Sequence, residues 1–164
     1  MSEISVAQPS NATSVDWSAA VWSGVIAGAI FVVLEMMMVP IFLGGSAWAP
    51  PRMIAAIVMG EGVLPPPATF DLGILMAAMA VHFVLSILFA LGLALVIARM
   101  SLEVALAVGA AFGLGLYLVN FYGFTALFPW FAMARNWVSI VAHIAFGLIA
   151  AWSYRRLADR PRPA

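Results

Sequence analysis

The sequence predicts an all-α polytopic membrane protein, a four-transmembrane-helix bundle with a short interfacial or re-entrant helix between spans 1 and 2. Three observations carry this expectation. Of the 164 residues, 65% are apolar and only 9% are charged, against roughly a quarter charged in an ordinary soluble domain. Four apolar stretches approach or exceed the about 20 residues a helix needs to cross a bilayer. Five of the seven arginines fall on one side of a chain threaded in that way, the asymmetry that orients membrane proteins.

Residues 1–17 read as a cytoplasmic N-terminal tail. The tail holds Glu3 and Asp16 but no Arg or Lys, so it lacks the positive start of a secretory signal and is expected to stay uncleaved. Asn11-Ala12-Thr13 matches a glycosylation acceptor, a three-residue pattern common by chance and placed here on the cytoplasmic side. A single membrane domain follows over 18–154, with spans at about 18–43, 72–98, 104–127 and 137–154. The last span is near the minimum length but carries no charge until Arg155. In a bilayer only helices or closed barrels satisfy the backbone, and the alternation of a barrel strand is absent. Residues 155–164 form an Arg-rich cytoplasmic tail.

The connection 44–71 is long for a small bundle. It contains Pro50-Pro51, an apolar run over 52–59 and Pro65-Pro66-Pro67. Proline suits the first helical position and glycine the end, so a short helix should begin at Pro51 and stop at Gly60. About ten residues rise only about 15 Å, too little to span. The segment either lies in the interface, held by Trp48 and Met53, or dips in and returns against the bundle.

Arg99, Arg155, Arg156, Arg160 and Arg162 lie on one side of the four-span chain, Arg52 and Arg135 on the other. The positive-inside rule then places both termini and the turn 99–103 in the cytoplasm of a bacterial-type inner membrane. The tryptophans agree, with Trp17, Trp22 and Trp152 near that face and Trp48, Trp130 and Trp137 near the other, as interfacial anchors are. With no cysteine there is neither a disulfide framework nor a thiolate metal site. Zero net charge gives no electrostatic case for nucleic acid. The expected partners are the lipid bilayer and either a second copy of the chain or other membrane subunits.

The halves resemble one another. Gly28-Ala29-Ile30-Phe31 of span 1 is similar to Gly109-Ala110-Ala111-Phe112 of span 3. Span 2 reads Ala78, His82, Ser86, Ala90 at every fourth position, and span 4 reads Ser139, His143, Gly147, Ala151 at the same spacing. Spans 1 and 3 carry Ala20-Gly24-Gly28 and Ala105-Gly109-Gly113. Such small-residue stripes mark faces where helix backbones approach closely, and spans 2 and 4 are expected to meet through theirs. The pattern suits two tandem two-helix repeats about an axis along the membrane normal, though small residues are frequent in any membrane helix.

Ionisable residues inside a span are costly, so they usually face the interior and act there. Glu35, His143 and His82 lie at roughly 12, 9 and 16 Å from the non-cytoplasmic edge at 1.5 Å per residue, and Tyr117 and Asn120 share that half of span 3. One polar layer can hold all five. Pro40 cannot donate to the Met36 carbonyl and so leaves an acceptor beside Glu35. The layer permits several chemistries. Glu35, His82 and His143 suit zinc or non-haem iron as a metal site, and the nearby Met36, Met37, Met38, Met76 and Met79 would favour copper(I). His82 and His143 could instead hold one bis-histidine haem b. A proton or ion route is a third use. The alternative is structural, with His and Glu bonding across helices at about 0.6 kcal/mol each and no cofactor.

No catalytic motif is present: no nucleophile elbow, no His-Glu-x-x-His, no phosphate loop and no dinucleotide fingerprint. The stretches Trp48-Ala49-Pro50-Pro51-Arg52-Met53-Ile54-Ala55-Ala56, Leu64-Pro65-Pro66-Pro67-Ala68-Thr69-Phe70-Asp71 and Asn136-Trp137-Val138-Ser139-Ile140 resemble a set of small, uncharacterised four-helix bacterial inner-membrane proteins. The resemblance covers most of the chain and implies topology, with no established activity. The functional expectation is a non-enzymatic protein acting by helix packing, as a homo-oligomer or an accessory subunit of a membrane complex. The alternative is an ion- or proton-conducting, or metal- or haem-binding, protein using the Glu/His layer.

Overall fold

Four of the five α-helices begin where a short polar side chain takes over a free backbone N–H of the first turn, the usual start signal of a helix. The computed structural model describes residues 15–159, and its helices are α1 (Trp17–Leu43), α2 (Ala49–Met59), α3 (Leu72–Ile97), α4 (Leu102–Leu118) and α5 (Trp137–Ala158). Asp16 caps α1 by accepting from the Ala19 N–H at 2.9 Å, and Asp71 caps α3 through Ile74 at 2.9 Å. Ser101 and Asn136 do the same for α4 and α5. Gly44 ends α1 in the left-handed conformation, φ 65°, which costs glycine nothing.

No strand occurs among the described residues. Four helices are long and apolar enough to cross a membrane: Trp17–Leu43, Leu72–Ile97, Leu102–Ala126 and Trp137–Ala158. The third is not uniform, because α4 passes into a π-turn at Val119–Gly123 and a 3₁₀ turn at Phe124–Ala126. It also begins at Leu102, two residues before the expected start. A further 3₁₀ segment, Pro129–Ala134, precedes α5. α5 runs on through Arg155 and Arg156 to Ala158, so the expected tail 155–164 starts as helix. Its last five residues, like the first fourteen of the chain with Asn11-Ala12-Thr13, lie outside the described residues. The short helix of the long connection begins at Ala49, two residues before the expected Pro51, with Gly60 as its C-cap.

The helices are ordered α3, α1, α5, α4. α1 packs along both α3 and α5, and α5 along both α1 and α4, while α3 touches α4 and α5 only lightly. This corrects the expectation that spans 2 and 4 meet through their stripes. Each stripe is an interface, but its partner is a glycine stripe. On Gly24 a Cβ would come within 2.7 Å of the Ile87 Cα and 2.9 Å of the Ser86 carbonyl. On Gly147 it would collide with the Gly109 carbonyl. Sequence spacing says which face packs; it does not say against which helix. The exterior is apolar, with Val33, Ile41, Leu88, Leu95 and Leu118 exposed, the surface that suits lipid rather than water.

Candidate functional site

The light contact between α3 and α4 leaves room inside the bundle, and a cavity of about 480 Å³ occupies it. This size falls in the range of small-molecule sites. Phe31, Glu35 and Val39 of α1 line it, with Val81, His82, Leu85, Ser86 and Phe89 of α3, Leu116 of α4 with Asn120 and Phe121 of the π-turn, and Ser139, His143 and Phe146 of α5. Pro50, Met53, Ile54 and Ile57 of α2 and Phe131 and Ala134 of the 3₁₀ segment close the end away from the turn 98–101. The two covers are joined where the Trp130 indole N–H donates to the Met53 carbonyl at 3.0 Å.

Both covers are held by arginine. Arg52 donates to the Val63 carbonyl at 2.8 Å and to the Thr69 carbonyl at 3.1 and 3.2 Å, tying down the strap 60–70. Arg135 donates to the Phe121 carbonyl at 2.7 Å and to the Thr125 hydroxyl at 3.1 Å, and its guanidinium lies 4.5 Å from the centre of the Tyr122 ring. The π-turn shifts the backbone bonding around Phe121, and Arg135 binds there. Each of the two arginines on this side of the bundle is thus spent on loop structure.

Four of the five residues expected in the polar layer line the cavity: Glu35, His82, His143 and Asn120. Tyr117 is buried behind them, its ring 5.8 Å from that of His143. The His82 Nε2 lies 2.9 Å from the Gly28 carbonyl. A carbonyl only accepts, so this nitrogen carries the proton and donates, with the Ser86 hydroxyl at 3.3 Å from it. The His143 Nδ1 donates in the same way to the Ser139 carbonyl at 2.7 Å. The Nε2 of the neutral ring then accepts from the Asn120 amide at 3.2 Å. Phe31 touches both imidazoles, stacked on His82 at 5.4 Å and edge-on to His143 at 4.9 Å.

Glu35 is 6% exposed. Its Oε1 has no hydrogen-bond partner, and the Ser139 hydroxyl is the side chain that interacts with the carboxyl group. A buried carboxyl oxygen left bare is expensive, so this atom marks where the site is incomplete.

Neither a bis-histidine haem nor a three-ligand site of Glu35, His82 and His143 is preformed in this arrangement. A bis-histidine haem needs one bare nitrogen from each imidazole facing across the iron. The bare nitrogen of His143 is taken by Asn120, and Phe31 lies against both rings. Among the described residues no group of three or more His, Cys, Asp or Glu is placed to hold a metal ion. Comparison with known protein families, with curated proteins and with solved structures finds no match. The site has to be read from its own chemistry.

Sequence reasoning located the layer by depth but missed Phe31, the Ser139 hydroxyl as the neighbour of Glu35, and the aromatic residues of 121–131. Phe31 had a signal: it stands one turn before Glu35, hence on the same face of α1. The others depend on how α4 and α5 are rotated, which spacing along one helix does not report.

Proposed function

We propose that the protein is a small non-enzymatic integral protein of a bacterial-type inner membrane, both termini cytoplasmic, that binds a small apolar-bodied molecule between its helices. The observation that carries this reading is the roughly 480 Å³ cavity, apolar and aromatic along its walls, with a few convergent polar groups at Glu35, His82, Asn120 and His143. That combination is the usual make-up of a ligand site. It goes beyond what helix packing needs, since the small-residue stripes already close the helix pairs. α2 acts as an interfacial cover, because its buried Pro51, Ala55 and Ala56 face the bundle and its 11 residues rise only about 16 Å.

The same reading includes a tandem origin of the two halves. Gly24 meets the Ser86 carbonyl and the Ala90 methyl, and Gly109 meets the Gly147 carbonyl and the Ala151 methyl. In the register that matches these contacts, the caps Asp16 and Ser101 correspond, and Glu35 corresponds to Asn120. Binding is favoured over conduction because the interior beyond the cavity is dominated by Ala27, Leu93, Ala94, Ile97 and Ala150, a poor path for protons or ions. Assembly with a second copy or an accessory role is the second reading. Gly92 and Gly115 favour it, since a Cβ on either would meet nothing within 4 Å, leaving room for another helix.

The test is titration of the full chain in nanodiscs with the fluorescent probe N-phenyl-1-naphthylamine, which has an apolar body and one N–H. A saturable component above the linear partition into empty nanodiscs is expected, and Ala134→Trp, which fills the cavity from its cover, should abolish it with the helix content unchanged. No saturable component, or equal saturation in Ala134→Trp, overturns the reading.

A further inference from the structure

The cavity floor is unbalanced in hydrogen bonding. His82 has given its Nε2 proton to Gly28 and His143 its Nδ1 proton to Ser139. Asn120 has given one amide N–H to His143 and keeps its second N–H and its carbonyl oxygen. The Glu35 Oε1 has no partner at all. The one cavity atom left without any partner is therefore an acceptor, and a ligand complementary to it brings a donor to Glu35.

The charge is unbalanced in the same sense. Glu35 is 94% buried, from 6% relative exposure, and the one ion pair among the described residues joins Arg155 to Asp159 elsewhere, at the end of α5. Arg52, the arginine that lines the cavity, has turned its guanidinium to the Val63 and Thr69 carbonyls. A buried carboxylate without a counter-charge is strongly disfavoured. The same cavity is lined by phenylalanines, Phe31 one turn from Glu35 on α1 and Phe121, Phe124, Phe128 and Phe131 from the α4 to α5 connection. Aromatic faces attract cations, most strongly where water is excluded.

We propose that the cavity is a receptor site for lipophilic organic cations bearing an N–H, such as protonated amines, with Glu35 as counter-charge and hydrogen-bond acceptor. The ammonium sits at Oε1 and the apolar body lies among the phenylalanines. A neutral hydroxyl compound satisfies the bare oxygen but leaves the charge unanswered, and a quaternary cation answers the charge but brings no donor; a protonated amine does both. This inference rests on the ligand-binding reading above and names the class of its ligand.

The experiment is displacement of N-phenyl-1-naphthylamine from the full chain in phosphatidylcholine nanodiscs by 6-phenylhexylammonium and by its neutral counterpart 6-phenylhexan-1-ol. The ammonium is expected to displace the probe at about tenfold lower concentration, the factor a charge-assisted hydrogen bond supplies. Glu35→Gln should erase that preference and leave displacement by the alcohol within about threefold. Equal displacement by both compounds in the unmodified chain, failure of both to displace a saturably bound probe, or a preference surviving in Glu35→Gln overturns the cation assignment while leaving ligand binding intact. Absence of saturable probe binding overturns the ligand-binding reading itself. The comparison in the unmodified chain decides the matter even if the variant fails to fold.

Discussion

His143 is held from two sides, its Nδ1–H by the Ser139 carbonyl one turn back on its own helix and its Nε2 by the Asn120 amide across the interface with α4. The first bond fixes the tautomer and the second uses it. Removing either partner of the second bond should cost stability, and removing both should cost less than the sum. In a double-mutant cycle of His143→Ala and Asn120→Ala, followed by unfolding in detergent, a coupling of about 0.6 kcal/mol is expected, with about 1.7 as the ceiling for membrane pairs. Zero coupling would mean that the two side chains share the cavity without bonding. Glu35 behaves differently, since its Oε1 has no protein partner to lose and Gln keeps a carbonyl oxygen for the Ser139 hydroxyl. Its substitution is read in ligand binding rather than in folding.

Among the elements, the close pair is α4 with α5, where Gly109, Gly113 and Gly147 bring the two backbones together. Gly147→Leu should therefore destabilise the protein by at least about 1–3 kcal/mol, the cost of overpacking. Gly115→Ala should stabilise it by about 0.5–1 kcal/mol, because the site is open and alanine loses less entropy in a helix. Thermal unfolding in detergent checks both, and equal tolerance would remove the glycine stripe as an interface. The existence of these helices was legible because an uninterrupted apolar run of spanning length has few other fates. α2 was legible from Pro50-Pro51 and Gly60. The order of the helices was not, since a small-residue stripe is satisfied by any close neighbour, and α1 rather than α5 took the face of α3. The turns over 124–134 were also missed. Phe128, Pro129 and Trp130 read locally as the end of a span, and their arrangement depends on Arg135 reaching back to Phe121 and on Trp130 reaching Met53. For the site, depth along each helix was enough to group Glu35, His82, Asn120 and His143, because helical rise is constant. Their hydrogen bonds needed the rotation of each helix about its axis.

For the whole molecule, the proposed orientation makes the cavity face away from the cytoplasm. The cavity is closed by α2 and the 3₁₀ segment, at the ends of the spans that carry Arg52 and Arg135, whereas Arg155 sits at the opposite end, bonded to the Ala98 carbonyl at 2.9 Å. Positive charge on the translocated side usually opposes an orientation; in the proposed one, Arg52 and Arg135 would lie there still charged, their guanidinium groups solvated by backbone carbonyls and, for Arg135, a ring. The five-to-two distribution of arginines is what motivates that orientation. The absence of cysteine makes the orientation directly measurable, because a single introduced thiol has no background. Gly62→Cys, where a side chain meets open space, should react with a membrane-impermeant maleimide in intact spheroplasts. Met100→Cys, in the turn between α3 and α4, should react only after the membrane is permeabilised. The opposite pattern would turn the bundle over and place the covered end of the cavity toward the cytoplasm. The proposed cations would then be captured from inside the cell rather than from outside, a change of function that no substitution within the cavity would reveal.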